Sequence, residues 1–164
     1  MNPYDYSPRA LITEIAPALL AQLQEDTPRL WGKMSAQHMV EHVSLLFYIS
    51  RLESPRHIFT PEELIEKAKR FLWNEKPFRQ NTVGPGLPEE PMPLRFSSLD
   101  EAKGRLIDSI GAYYQFFEEN PDKKTIHPAF GYLNMEEWER FHYKHIIHHF
   151  TQFSLIEMIA PEQV

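Results

Sequence analysis

Cysteine is absent from all 164 residues. That excludes disulfides, thiolate metal ligands and a cysteine nucleophile, so any thiol chemistry must bring its thiol from outside. No run of about eighteen apolar residues exists to cross a bilayer. Basic residues are scarce, with 17 Lys and Arg against 23 Asp and Glu, and the net charge is −6. This balance opposes sequence-blind binding to phosphate backbones, so neither nucleic acid nor membrane is expected as a partner. The opening "MNPYDYSPRALITEI" has an early acidic residue and no basic-then-apolar order. It does not read as a signal peptide, and the cytoplasm is the expected location. Several catalytic motifs are missing too: there is no HExxH and no GxSxG. "WGKMS" lacks the glycine-rich stretch that a phosphate loop needs before Gly32-Lys33, and "GPG" at 84–86 is turn chemistry.

Helical periodicity is abundant. Hydrophobic residues make up 42% and charged residues 24%, a globular balance that suits one domain over residues 1–164. A first helix is expected from Ser7 as N-cap and Pro8 as first residue, with a kink or restart at Pro17. A second starts at Ser35, and its apolar stripe is read as Met39, His42, Leu45, Leu46 and Ile49. A short one opens "TPEELIEKAKRFL", with Thr60 as cap and Glu63 closing a capping box. A third long helix begins with Ser98 and Glu101 as another capping box and stops at Asn120-Pro121. The last begins with Asn134 and Glu137 and is read to about Met158, before Pro161. Between the short helix and the third long one, "PFRQNTVGPGLPEEPMPLRF" carries Pro77, Pro85, Pro88, Pro91 and Pro93 and cannot be helical. Its Phe78, Leu87, Met92, Leu94 and Phe96 suggest that it packs across the body. Only "TVG" and "LRFSS" read as stray extended pieces. The expected fold is all-α, a four-helix bundle with a short extra helix and a long proline-rich crossover.

Half of the eight histidines crowd into "FHYKHIIHHFTQF", residues 141–153. His145 and His149 are four apart, on one helical face and separated by about 6 Å of rise, a spacing that lets two imidazoles share an ion. Trp138, Phe141, Gln152, Ile156 and Ile159 fall on the same face. His142 and His148 flank it and read as peripheral. On the second helix His42 sits in the apolar stripe, with His38 a turn earlier. Three imidazoles, His42, His145 and His149, could converge on one divalent ion and leave positions open for water or substrate. Neutral nitrogen donors suit Zn²⁺, Ni²⁺, Fe²⁺ or Cu²⁺ and disfavour Mg²⁺ or Ca²⁺. The competing reading is a set of buried histidines hydrogen-bonded to Glu41, tyrosines or carbonyls.

"WGKMSAQHMVEH", followed much later by "HPAFGYLNMEEWERFHYKHIIHHFTQF", resembles the DinB/YfiT-like metalloenzymes, and within them a subgroup with a loop such as "FRQNTVGPGLPEEPMPLRFSSLDEA". The likeness runs from about Leu11 to Phe153. It implies a four-helix bundle with one ligand histidine on the second helix and an H-x3-H pair on the last. These fall on His42, His145 and His149, with Gln152 three residues further on. His38 stands where the family is expected to hold glutamine, so it is not expected to be a ligand. The resemblance also implies a metal that activates a low-molecular-weight thiol, of the bacillithiol or mycothiol kind, for transfer or isomerisation. The expected partner is a small-molecule substrate, and a homodimer is compatible. Gln152 and Glu41 are candidates to orient the ligand rings, and His38 and Trp138 are further pocket candidates. The loop over 76–96 is expected to cover the pocket, with Asn81 or Arg79 reaching substrate. No residue is assigned to a catalytic step. The alternative is a non-enzymatic bundle that binds a metal or small ligand, or pairs with itself; the third is a metal-free bundle.

Overall fold

Four helices open with the same device, a short polar side chain accepting a hydrogen bond from the first turn. Ser7 Oγ accepts from Ala10 N (3.2 Å), Ser35 Oγ from His38 N (3.2 Å), Ser98 Oγ from Glu101 N (3.1 Å) and Asn134 Oδ1 from Glu137 N (2.9 Å). Each such cap stabilises its helix by about 1 kcal/mol. In the computed structural model, which describes residues 1–158, they start helices α1 (8–20), α2 (Ala36–Ile49), α4 (Leu99–Glu119) and α5 (Met135–Gln152). Helix α3 (Glu62–Arg70) is shorter and has no side-chain cap. Thr60, the expected cap, instead donates to the Ala129 carbonyl (2.7 Å). Single 3₁₀ turns lie at Pro3–Asp5 and Phe71–Trp73.

Pro17 has the expected effect on α1. It cannot donate to Thr13, and the turn before it widens: Leu11–Ile15 is π-helical, with Ala16 N bonded to the Leu11 carbonyl five residues back. The α-helix resumes over Ala16–Leu20.

Helix α2 packs along α4, and α5 touches both α1 and α2. Leu11 and Ile12 from α1, Met39, Val43 and Phe47 from α2, Leu106, Tyr113 and Phe117 from α4, and Trp138 and Phe150 from α5 are all buried in one core. The stripe of α2 therefore differs from the sequence reading. Val43 and Phe47 are its centre, and His42 and Leu45 are half-buried at its edge.

The chain is mostly helical but not all-α. Residues Thr125–His127 (β1) and Gly131–Leu133 (β2) pair antiparallel, Thr125 opposite Leu133 and His127 opposite Gly131. The chain turns through residues 128–130, and Gly131, the first residue of β2, takes a left-handed φ of 72° that favours glycine. The hairpin is anchored through Thr125, whose Oγ1 donates to the Ser50 carbonyl (2.6 Å) and accepts from Trp138 Nε1 (2.8 Å). "TVG" and "LRFSS", the extended pieces expected from sequence, form no strand.

Helix α5 ends at Gln152 rather than near Met158, and Ser154 takes a left-handed φ of 56° just beyond it. Ile159 and Pro161 lie outside the described residues. From Phe141 to Phe150 every residue of α5 is buried except His148, which is half-buried. Lys144 is accommodated because its ammonium donates to the carbonyls of Phe71 (2.8 Å) and Asn74 (2.6 Å) and to Asn74 Oδ1 (3.2 Å). It thereby ties the start of the proline-rich segment to α5. Along that segment Phe78, Leu87 and Phe96 are half-buried, whereas Met92 and Leu94 are about half exposed, against expectation. No helix among the described residues is long and apolar enough to cross a membrane.

Candidate metal centre

His42 from α2 and His145 and His149 from α5 converge. The His145 Nε2 lies 3.0 Å from His42 Nε2 and 3.1 Å from His149 Nε2, and one nitrogen from each ring falls within 4.8 Å of the other two. Two nitrogens bound to one ion at about 2.0–2.1 Å stand about 2.9 Å apart at a right angle and about 3.4 Å apart at the tetrahedral angle. Both close edges of the triad fall within that range, whereas the full spread of up to 4.8 Å is wider than one ion spans, so His42 and His149 would have to draw together around it.

The tautomer of His149 follows from its neighbours. Gln152 Nε2 donates to the Trp31 carbonyl (2.9 Å), so the Gln152 carbonyl oxygen faces His149 Nδ1 at 2.9 Å. An oxygen there accepts, so Nδ1 carries the proton and Nε2 presents its lone pair to the other two rings. The chain Trp31–Gln152–His149 thus orients one prospective ligand from outside. Gly32 makes it possible. At φ 78° it turns the backbone into a conformation that side chains disfavour, and a Cβ there would stand 2.9 Å from Gln152 Nε2.

All three imidazoles are held neutral. Burial first, and then the other histidines, push His145 and His149 well below the usual value. Burial followed by His148 lowers His42 to about 4. Neutral rings are the form that can ligate. Aromatic walls close the site: Phe141 stacks on His145 (5.0 Å, 21°), and Phe78 approaches His145 and His148 edge-on (6.2 and 6.0 Å). Trp31 lies against His148 at 5.4 Å. His145 Nδ1 is buried without a hydrogen-bond partner among the described residues.

The remaining sequence candidates separate from the triad. His38 is absorbed by the N-cap of α2: its Nδ1 lies 2.7 Å from Ser35 Oγ and accepts from Ser35 N at 3.3 Å. It does what glutamine at that position of a capping box would do. Glu41 is buried but points elsewhere. Its carboxylate accepts from Arg95 N (2.8 Å), Phe96 N (3.1 Å) and Gln37 Nε2 (3.0 Å), fastening the end of the long loop to α2. Trp138 is a core anchor against His127 and His142. Asn81 and Arg79 are exposed, Asn81 in a turn at φ 55°. His142, read as peripheral, is fully buried between Phe47 (3.7 Å, 10°) and Trp138 (5.5 Å, 21°), and neither of its nitrogens has a partner among the described residues. The projection failed there because α5 is covered on all sides.

Sequence reasoning missed Trp31, whose role is carried by its backbone carbonyl and so leaves no side-chain signal. Phe78 was visible only as an apolar residue in a polar loop.

A family model described as "Protein of unknown function (DUF1569)" matches residues 79–155. That stretch contains His145, His149 and Gln152 but not His42 or Trp31. No curated protein and no solved structure matches the chain.

Proposed function

We propose that this protein is a metal-dependent enzyme of the DinB/YfiT-like kind, with α1, α2, α4 and α5 as its four-helix bundle and α3 as the extra helix. His42, His145 and His149 would hold one divalent ion of the Zn, Ni or Fe class. The observation that carries the reading is the pairing of the 3.0 and 3.1 Å Nε2 separations with the Gln152 bond that fixes the His149 lone pair inward. An ion with three protein ligands and an open position lowers the pKa of a bound thiol or water and holds it as a nucleophile. In a chain without cysteine, that nucleophile would be a low-molecular-weight thiol, used for transfer or isomerisation on a small-molecule substrate. His38, tied to Ser35, is not free to close the shell, which favours an open site over a structural one. Phe78, Phe141 and Trp31 keep the surroundings apolar and limit water.

A second reading rests on His145 Nδ1. A ligand histidine ordinarily donates its outer N–H, and this one has no acceptor among the described residues. A metal-free triad of imidazoles, hydrogen-bonded among themselves, is compatible with the same distances. Elemental analysis of untagged protein decides between them, alongside a His145→Ala, His149→Ala double variant. Near-stoichiometric metal in the parent and none in the variant supports the enzyme. A parent that neither carries metal nor takes it up on titration rejects it.

A further inference from the structure

We propose a second site, an oxyanion-binding cleft between α2 and α4 that takes a phosphate group. Arg51, Arg95 and Arg105 line one cavity of about 260 Å³ there, with the hydroxyls of Ser44 and Ser109. It opens on a different face of α2 from the histidines: at 100° per residue Ser44 and Tyr48 stand about 160° and 120° round from His42.

Three guanidinium groups meet one lining carboxylate, Asp108, in a chain whose net charge is −6. Two of the three have a further acidic neighbour at long ion-pair distance, whose closer bonds go to other donors. Glu41 serves the backbone N–H groups of Arg95 and Phe96 and lies 3.9 Å from Arg95 Nε, beyond hydrogen-bond range. Glu101 accepts from Ser97 N and Oγ (3.0 and 2.6 Å) and stays 3.9 Å from Arg105. Arg51 makes no ion pair among the described residues, and its Nε is buried without a partner.

Aromatic rings hold these cations together with the carboxylates. Arg95 and Arg105 lie over the same Phe96 ring, at 5.5 and 5.6 Å, and Arg51 lies over Tyr48 at 5.2 Å. The rings attract each cation but do nothing to offset the repulsion between them, which Asp108, Glu41 and Glu101 relieve in part, from 3.9 Å in the case of the two glutamates. Arg51 has no such partner among the described residues, and an anion seated among the three guanidinium groups supplies it. Ser44 Oγ and Ser109 Oγ, 3.2 Å apart, share one hydrogen between them and leave a second free to donate. Guanidinium forks and hydroxyls are the donors that recognise phosphate oxygens. Glu41 holds Arg95 and Phe96 in place beforehand, so little ordering is left for the ligand to do. The two sources of such a group are inorganic phosphate and a small phosphorylated molecule whose organic part rests on Phe96.

Calorimetric titration with inorganic phosphate at constant ionic strength tests the site. Arg95 and Arg105 are half exposed, with side-chain exposures of 49% and 57%, so Arg95→Gln and Arg105→Gln should fold, which circular dichroism checks. One saturable site is expected, weakened about tenfold or more by either variant, the loss of a charge-assisted bond. Arg79→Gln, outside the cleft, and the His145→Ala, His149→Ala pair should leave it unchanged, which separates this cleft from the histidine site. Phenyl phosphate binding more tightly than phosphate, with the advantage lost in Phe96→Leu, identifies a phosphorylated molecule; equal affinity identifies free phosphate. No saturation by about 20 mM phosphate, weaker than the roughly millimolar binding a few such bonds supply, overturns the proposal. So does an equal loss in Arg79→Gln or in the histidine pair.

Discussion

Replacing Gln152 by alanine tests the central link between the fold and the triad. Gln152 joins the Trp31 carbonyl to His149 Nδ1 through bonds of 2.9 Å each, and it is buried at the last residue of α5. Its removal leaves two polar groups without partners, the buried His149 Nδ1 and the partly buried Trp31 carbonyl. Each such orphan costs about 1–3 kcal/mol. Water entering the vacated space relieves part of this, so a loss of about 2–4 kcal/mol in unfolding free energy is expected, or about 5–15 °C in Tm. His149 then has no fixed tautomer, and losing such an outer partner ordinarily lowers metal affinity about 10–100-fold.

Chelator competition with Zn²⁺ on metal-stripped protein measures that affinity. Gln152→Glu separates the two effects. Its carboxylate still accepts from His149 Nδ1 but offers no donor to Trp31. Affinity within about tenfold of the parent is therefore expected, with stability reduced. If Gln152→Ala binds Zn²⁺ as tightly as the parent, in a protein that loses the ion when His145 and His149 are replaced, the orienting role assigned to Gln152 is wrong.

Gly32→Ala should act on the same chain, since its Cβ meets Gln152 Nε2 at 2.9 Å and its φ of 78° is strained for alanine; Zn²⁺ affinity falling about tenfold or more is expected by the same competition assay. Burial alone lowers His127 to about 3, and burial with His127 nearby takes His142 well below its usual value. The unfolded chain therefore binds protons that the fold refuses. Stability is full above about pH 6.5 and is lost as pH falls below it, by about 1.4 kcal/mol per unit for each ring. Urea midpoints at pH 7 and pH 5 measure the drop, and His142→Phe should make it shallower. Lys144→Met leaves the acceptors on Phe71 and Asn74 unpaired, for a loss of about 2–3 kcal/mol; limited proteolysis should then cut faster between Asn74 and Phe78.

Helix starts were legible because an N-cap is a local device. Ser7, Ser35, Ser98 and Asn134 act within three residues of themselves, and no distant partner can change the pattern. Thr60 misled because its hydroxyl found the Ala129 carbonyl, 69 positions away. The hairpin was missed because each strand has only three residues, too few for alternation to show. Burial on helices was legible where one face meets the core. His42 was recognised from a stripe whose centre proved to be Val43 and Phe47. Its own place at the rim is what lets it face His145 across the edge of the α2–α5 contact. Glu41 went wrong by a single residue step: at about 100° from His42 it faces the loop end instead of the triad.

The four histidines of α5 do not all join the triad, and packing around His142 shows why. His142 and His145 are about 60° apart around the helix, yet His142 is wedged between Phe47 and Trp138, with Tyr113 at 5.0 Å and no other imidazole nitrogen within hydrogen-bond range. His145 turns towards two other imidazoles. Stacking between aromatic planes stabilises His142 by its ring and not by its nitrogens, so phenylalanine can occupy the same slot and removes two unpaired polar atoms. His142→Phe should therefore raise stability at pH 7 by about 1–3 kcal/mol and leave metal uptake at one ion per chain. A variant that loses the ion, or a parent that binds two, would show that His142 ligates and that its ring does not rest where the packing holds it.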